Sequence, residues 1–208
     1  MTNHDIDQTR ILTRAEIASV LADLRRKRRS INTRQNSVIF RLATCCGLRV
    51  SEVVGLSLDN VKLAGKRPYI HVPAAIAKRR KARKVPLWWD AATLAELEAW
   101  KASRIAQGAS GGSPFVCCQS KAIPGKRLSV RNAQARYKAA IKSLGEERRS
   151  GLSIHCGRHS FCSHALAGGR SLAEVRDAAG HSNISTTSIY LHAVRDDDEA
   201  VGSLFDFG

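Results

Sequence analysis

The chain has 208 residues, enough to bury the core of one domain with room for a small appendage. Lys and Arg total 34 against 18 Asp and Glu, and the formal charge of +16 points to a polyanionic partner, nucleic acid first among them. No apolar run is long enough for a membrane span, and neither terminus offers the basic amphipathic helix that a membrane surface would take.

Residues 1–12 read as a flexible lead, polar through Arg10 and without a signal-peptide core, so the expected location is the cytoplasm, at the nucleoid. Thr13-x-x-Glu16 has the form of a capping box and opens a helix with Ile17, Val20, Leu21 and Leu24 as its apolar stripe. The run Arg25-Arg26-Lys27-Arg28-Arg29 follows. Cations suit a helix C-terminus, but five exceed what a cap needs, and phosphate contact is the expectation.

A second helix is predicted over residues 33–46, stopped by Gly47, and a short one over Ser51–Val54, closed by Gly55. The periodicity then changes. Tyr69–Val72 and Lys84–Leu87 read as strands, joined through the basic, glycine-free loop Ala77–Arg83. Asp90 should cap a helix running to about Gln107, with a loop over Gly108–Pro114. Ser129–Leu144 is predicted helical, with Val130, Ala133, Tyr137, Ile141 and Leu144 on one face.

Residues 155–167 form the next predicted helix, stopped by Gly168-Gly169. A second capping box, Ser171-x-x-Glu174, opens a helix ending at Gly180, and a last short helix covers Thr186–His192. The acidic run Asp196–Glu199 precedes an apolar tail, Val201–Phe207. The expected class is mostly α (α+β): one helical domain over residues 13–195 with a small antiparallel β-sheet, and a tail at 196–208.

Cys45, Cys46, Cys117, Cys118, Cys156 and Cys162 include two adjacent pairs and no C-x-x-C, which argues for core filling rather than zinc. His155 and His159 have the spacing of a helical zinc pair. Cys156 stands where the glutamate belongs, and no third ligand is evident. The carboxylates are scattered or gathered at 196–199, a poor set for Mg²⁺. No metal site is expected.

Attack on a phosphodiester without a metal needs an in-line nucleophile, cations on the non-bridging oxygens, an acid for the leaving oxygen and a base for the nucleophile. Arg suits the second role because it grips phosphate with two N–H groups and stays protonated. Candidates occur in order: Arg49 and Glu52, Lys78 in the basic loop, His155 and Arg158 at i, i+3, His181 after a helix end, and Tyr190 nine residues on. A lone Tyr is a poor nucleophile, with an ordinary pKa of about 10. Tyr69 fits a strand, Tyr137 fits a helical core face, and Tyr190 by itself would also read as a core residue.

The stretches LATCCGLRVSEVVGLSLDNV (42–61), KRRKARKVPL (78–87), SIHCGRHSFCSHAL (153–166) and AAGHSNISTTSIYLH (178–192) together resemble the catalytic domain of tyrosine recombinases, the phage integrase family. The resemblance covers Leu12 to about His192. It implies a site-specific recombinase in which Arg49 and Arg158 clamp the scissile phosphate and His155 and His181 hydrogen-bond it, His155 also accepting the tyrosine proton. Lys78 would protonate the leaving 5′ oxygen, although Lys81 and Lys84 share its loop. Tyr190 would form a 3′-phosphotyrosyl link, with Glu52 as a buttress. His159, His164 and His192 read as packing or surface residues.

The resemblance further implies double-stranded DNA as substrate, a homotetramer on DNA, accessory DNA-bending proteins and no cofactor. Most relatives carry an N-terminal clamp domain before this region. Without an N-terminal clamp the run Arg25–Arg29 and the basic loop would provide more of the affinity, so strongly salt-dependent binding is expected. Met1 and the ordinary lead favour a natural single-domain form over a fragment. The apolar tail could dock on a neighbouring protomer or fold back on its own domain. Rival readings are a DNA-binding regulator of the same fold without cleavage, and a type IB-like relaxing topoisomerase.

Overall fold

The computed structural model describes residues 7–120 and 122–191. The helices are α1 (Arg14–Arg26), α2 (Ile31–Thr44), α3 (Val50–Gly55), α4 (Ala91–Ala106), α5 (Val130–Ala140), α6 (Glu146–Gly151), α7 (Ile154–Ala167), α8 (Leu172–Ala179) and α9 (Ser185–Ser188). Strands β1 (Val61–Lys62), β2 (Tyr69–Val72) and β3 (Arg83–Pro86) form an antiparallel sheet in the order β1-β2-β3. The mostly helical class with a small antiparallel sheet is as expected.

Local rules set most boundaries. Both capping boxes form: the Thr13 hydroxyl accepts from Glu16 N while the Glu16 carboxylate accepts from Thr13 N, and Ser171 and Glu174 repeat the exchange. Asp90 caps α4 through Thr93 N at 3.0 Å.

Helix α2 lies at the centre, packed by α1, α4, α5 and α7. The approach of α7 depends on Gly157. A Cβ there would lie 2.6 Å from Thr44 Oγ1 and 2.9 Å from the Tyr137 hydroxyl. Trp100, Tyr137, Phe40, Phe115 and Phe161 are the bulkiest fully buried side chains, and Trp100 donates its indole N–H to the Phe115 carbonyl at 2.7 Å.

Several details differ from the sequence reading. The two-residue strand β1, paired Val61 to Ile70 and Lys62 to Tyr69, is too short to show an alternating pattern. The predicted helix over Ser129–Leu144 is α5 continued by a 3₁₀ turn at Ile141–Leu144, and Val130 at its start is 40% exposed, off the core face. Helix α6 was not foreseen, because Glu146–Gly151 carries no apolar stripe. Helix α9 is shorter than the expected Thr186–His192, and His192 lies outside the described residues, as does the tail at 196–208.

The expected lead, residues 1–12, is described from Asp7. Gln8–Arg10 form a 3₁₀ turn, and Leu12 is fully buried. Leu12 N donates to Ser160 Oγ at 2.8 Å, and His164 Nε2 donates to the Leu12 carbonyl at 2.7 Å. Arg148 on α6 reaches the Ile11 carbonyl and the Glu16 carboxylate. The packed body therefore begins ahead of Thr13, held by partners far along the chain. Asp23 pairs with Arg26 and Lys27, which leaves Arg25, Arg28 and Arg29 of the basic run as exposed cations outside this pair of bridges.

Candidate active site

The site forms where the N-terminus of α3, strand β3, helix α7 and the α8–α9 turn meet. Glu52, fully buried in α3, is its anchor. Its carboxylate accepts from both terminal nitrogens of Arg83, each at 2.8 Å, from the Arg49 amide at 2.8 Å and from the Arg49 guanidinium at 3.2 Å. Burial alone would raise the Glu52 carboxyl. The Arg83 hydrogen bonds and charge, with those of Arg49, outweigh it and hold the group below its ordinary value.

Two guanidinium groups bracket the end of α8. Arg49 donates to the Gly180 carbonyl at 3.3 Å, and Arg158 donates to the Ala179 carbonyl and, from its other terminal nitrogen, to the Gly47 carbonyl, both at 2.5 Å. Arg158 is buried, and burial brings its pKa down to about 10, so it stays a cation. Arg83 adds a third link through its Nε to the Ala178 carbonyl at 2.8 Å. Gly180 adopts φ +68° to end α8, and a Cβ there would lie 2.8 Å from Arg83 Cδ.

The chain leaves this bracket into His181. Its ring stacks on Tyr190, 6.2 Å between centroids with 7° between planes, and its Nδ1 is 2.9 Å from Thr187 Oγ1 on α9. Burial, then the charges of Arg158, Arg49 and Arg83, push His181 down to about 3, which keeps it neutral. Tyr190 is 4% exposed. Its hydroxyl is 2.7 Å from His159 Nδ1, and burial raises it above the ordinary phenol range despite Arg158 and Arg49.

The structure thus brings Arg49, Arg158, His181 and Tyr190 together. Lys78 is exposed on the wall of a cleft of about 720 Å³ that Arg49, Arg83 and His181 also line; Lys81 and Lys84 line it too. His155 is exposed on α7, one turn from His159. Sequence reasoning missed two contributors. Arg83 sits in sequence at the end of the basic loop, yet on β3 it lies two residues from fully buried Val85 and so shares the inward face. His159 was read as packing or surface, and its contact with Tyr190 joins residues 31 apart, beyond any local pattern.

A nucleophile-capable hydroxyl, two guanidinium groups, a neutral imidazole and a lysine-lined cleft are together suited to phosphoryl transfer. This helical body around a small sheet is the fold of tyrosine recombinase catalytic domains. The chain belongs to the phage integrase family, whose pattern it matches over residues 10–196.

It is 34% identical over 160 residues to the tyrosine recombinase XerC of Stutzerimonas stutzeri (strain A1501), covering 76% of this chain and 48% of the relative. The chain therefore spans about half the length of the curated relatives it matches. The crystal structure of XerA recombinase superposes with a TM-score of 0.71 at 18% identity, covering 89% of this chain and 61% of that one. XerH site-specific recombinase bound to difH substrate, a pre-cleavage complex, superposes with a TM-score of 0.69 at 22% identity, covering 92% and 52%.

Among the described residues, no helix is long and apolar enough to cross a membrane.

Proposed function

We propose that the chain is the catalytic domain of a site-specific DNA recombinase that breaks and rejoins DNA strands through Tyr190. The observation that carries this reading is the bracket of Arg49 and Arg158 on the Gly180 and Ala179 carbonyls, immediately before His181 and its stacked partner Tyr190. Three distant stretches of chain converge there, joined by Arg83 from a fourth, and a structural tyrosine would not require them.

The scissile phosphate of double-stranded DNA would sit at the two guanidinium groups, with His155 and His181 supplying further hydrogen bonds. Tyr190 Oη gives its proton to a neighbouring imidazole and attacks phosphorus, the P–O5′ bond breaks, and Lys78 gives a proton to the 5′ oxygen. The 3′-phosphotyrosyl ester conserves the bond, so a 5′ hydroxyl from another strand reverses the step without a nucleotide cofactor. Strand exchange between two sites calls for a homotetramer on DNA, with accessory DNA-bending proteins as further partners. The exposed cations of the basic run and the Lys78 loop supply affinity that falls with salt.

The test is covalent capture. A pool of nicked duplexes of randomised sequence is incubated with the protein, and DNA carrying protein through denaturant is sequenced. The expected result is an adduct that Tyr190→Phe abolishes. Absence of an adduct across the pool, with DNA binding retained, would favour a binding protein and overturn the proposal. Relaxation of arbitrary plasmid without recombinants would point to a topoisomerase.

A further inference from the structure

We propose that His159, rather than His155, takes the proton of Tyr190 during strand cleavage and returns it on rejoining. This inference rests on the strand-cleavage reading above. The geometry behind it is direct: His159 Nδ1 is 2.7 Å from the Tyr190 hydroxyl, the separation of a made hydrogen bond. His155, the residue that the family resemblance assigns to this task, is exposed one turn earlier on α7.

The surroundings select His159 as well. Tyr190 has two imidazole neighbours, His159 with ring centroids 5.8 Å apart and 32° between planes, and His181 at 6.2 Å and 7°. His181 meets Tyr190 by ring stacking, and its Nδ1 is 2.9 Å from Thr187 Oγ1. With Tyr190 only 4% exposed, bulk water is poorly placed to take the proton, so the acceptor has to be a group in contact.

Burial, followed by the charges of His155, Arg158 and Arg10, lowers the pKa of His159 and keeps its ring neutral. A neutral imidazole with its hydrogen on Nε2 offers the Nδ1 lone pair as an acceptor. The next-door position of Arg158 on α7 joins base and phosphate clamp through one rigid helix.

The step balances. As Tyr190 Oη bonds to phosphorus, its proton passes to His159 Nδ1 and forms imidazolium. The P–O5′ bond breaks, and the 5′ oxygen takes a proton from Lys78. On rejoining, the incoming 5′ hydroxyl gives its proton to the Lys78 amine and attacks phosphorus. The tyrosyl oxygen leaves and recovers its proton from His159.

The experiment uses duplexes captured from the randomised nicked pool and resynthesised with a sulfur bridging the scissile phosphorus and the 5′ carbon. A thiolate leaves without an acid, so Lys78→Ala should regain adduct formation on this probe. His159→Ala and His159→Gln should each lose about 10²- to 10⁴-fold on the oxygen duplex, in proportion to what a general base supplies. Neither should be rescued by sulfur, and both should bind DNA as the wild type does. His159→Gln keeps a neutral hydrogen-bond acceptor without basicity, which separates proton transfer from mere holding of the tyrosine.

Wild-type rates in His159→Gln, or faster cleavage in His159→Ala, would overturn the assignment while leaving the cleavage reading intact. An inactive wild type would overturn both.

Discussion

Arg83 and Glu52 form a two-pronged ion pair, each terminal guanidinium nitrogen 2.8 Å from its own carboxylate oxygen, with the glutamate side chain fully buried and the arginine 9% exposed. The pair ties β3, which closes the basic loop, to α3, whose N-cap residue is Arg49. The Arg83 Nε bond to the Ala178 carbonyl extends the tie to α8. Arg83→Ala leaves a buried carboxylate with only Arg49 for company. The expected loss is about 3–5 kcal/mol of unfolding free energy, read from urea denaturation. Arg83→Lys, with one point charge and no fork, should recover only part of it.

The same carboxylate predicts an acid limb. Glu52 is held below its ordinary 4.5, so the unfolded chain binds this proton first as the pH falls. Its stabilising effect is complete above that ordinary value and is lost as the pH drops through the lower, folded value. Urea midpoints followed from about pH 6 downwards should fall in the wild type; the decline should be shallower in Glu52→Gln, from a lower starting stability. Parallel curves for the two proteins would refute the assignment.

Gly180 combines two demands, a left-handed backbone and a close pass by Arg83. Gly180→Ala should cost about 1–2 kcal/mol for the backbone alone, and more through displacement of Arg83. In the double variant with Arg83→Ala the steric part should vanish, so the two losses should add to less than their sum, measurable by the same urea titration.

The basic run offers a test by salt. Asp23 engages Arg26 and Lys27, whereas Arg28 and Arg29 are exposed beyond that pairing. If these two contact phosphates, Arg28→Ala and Arg29→Ala should each lower the slope of log affinity against log salt by about 0.9. Fluorescence anisotropy with a labelled duplex across a salt series reads the slope, and an unchanged slope would remove the run from the interface.

Local rules in the sequence were enough for most elements of the fold. The boxes at Thr13–Glu16 and Ser171–Glu174, the Asp90 cap and the stop at Gly180 each depend on groups within four residues, and each forms. The apolar stripe of α1 and the alternation of β2 carry their own burial pattern for the same reason. Where a segment lacked a pattern, as in α6 and the two-residue β1, the sequence was silent. The candidate residues Arg49, Lys78, His155, Arg158, His181 and Tyr190 were legible as residue types in a spaced order, which is what a family resemblance reads.

Tertiary structure alone decided how those residues meet. Arg158 faces the Gly47 and Ala179 carbonyls across 111 and 21 residues, Arg83 crosses 31 residues to Glu52, and Tyr190 meets His159 rather than an exposed His155. Helix and strand periodicity fix which face a side chain takes on its own element, within a few residues. They carry no information on which elements will pack together, and hydrogen-bond partners far apart in the chain are set only by that packing.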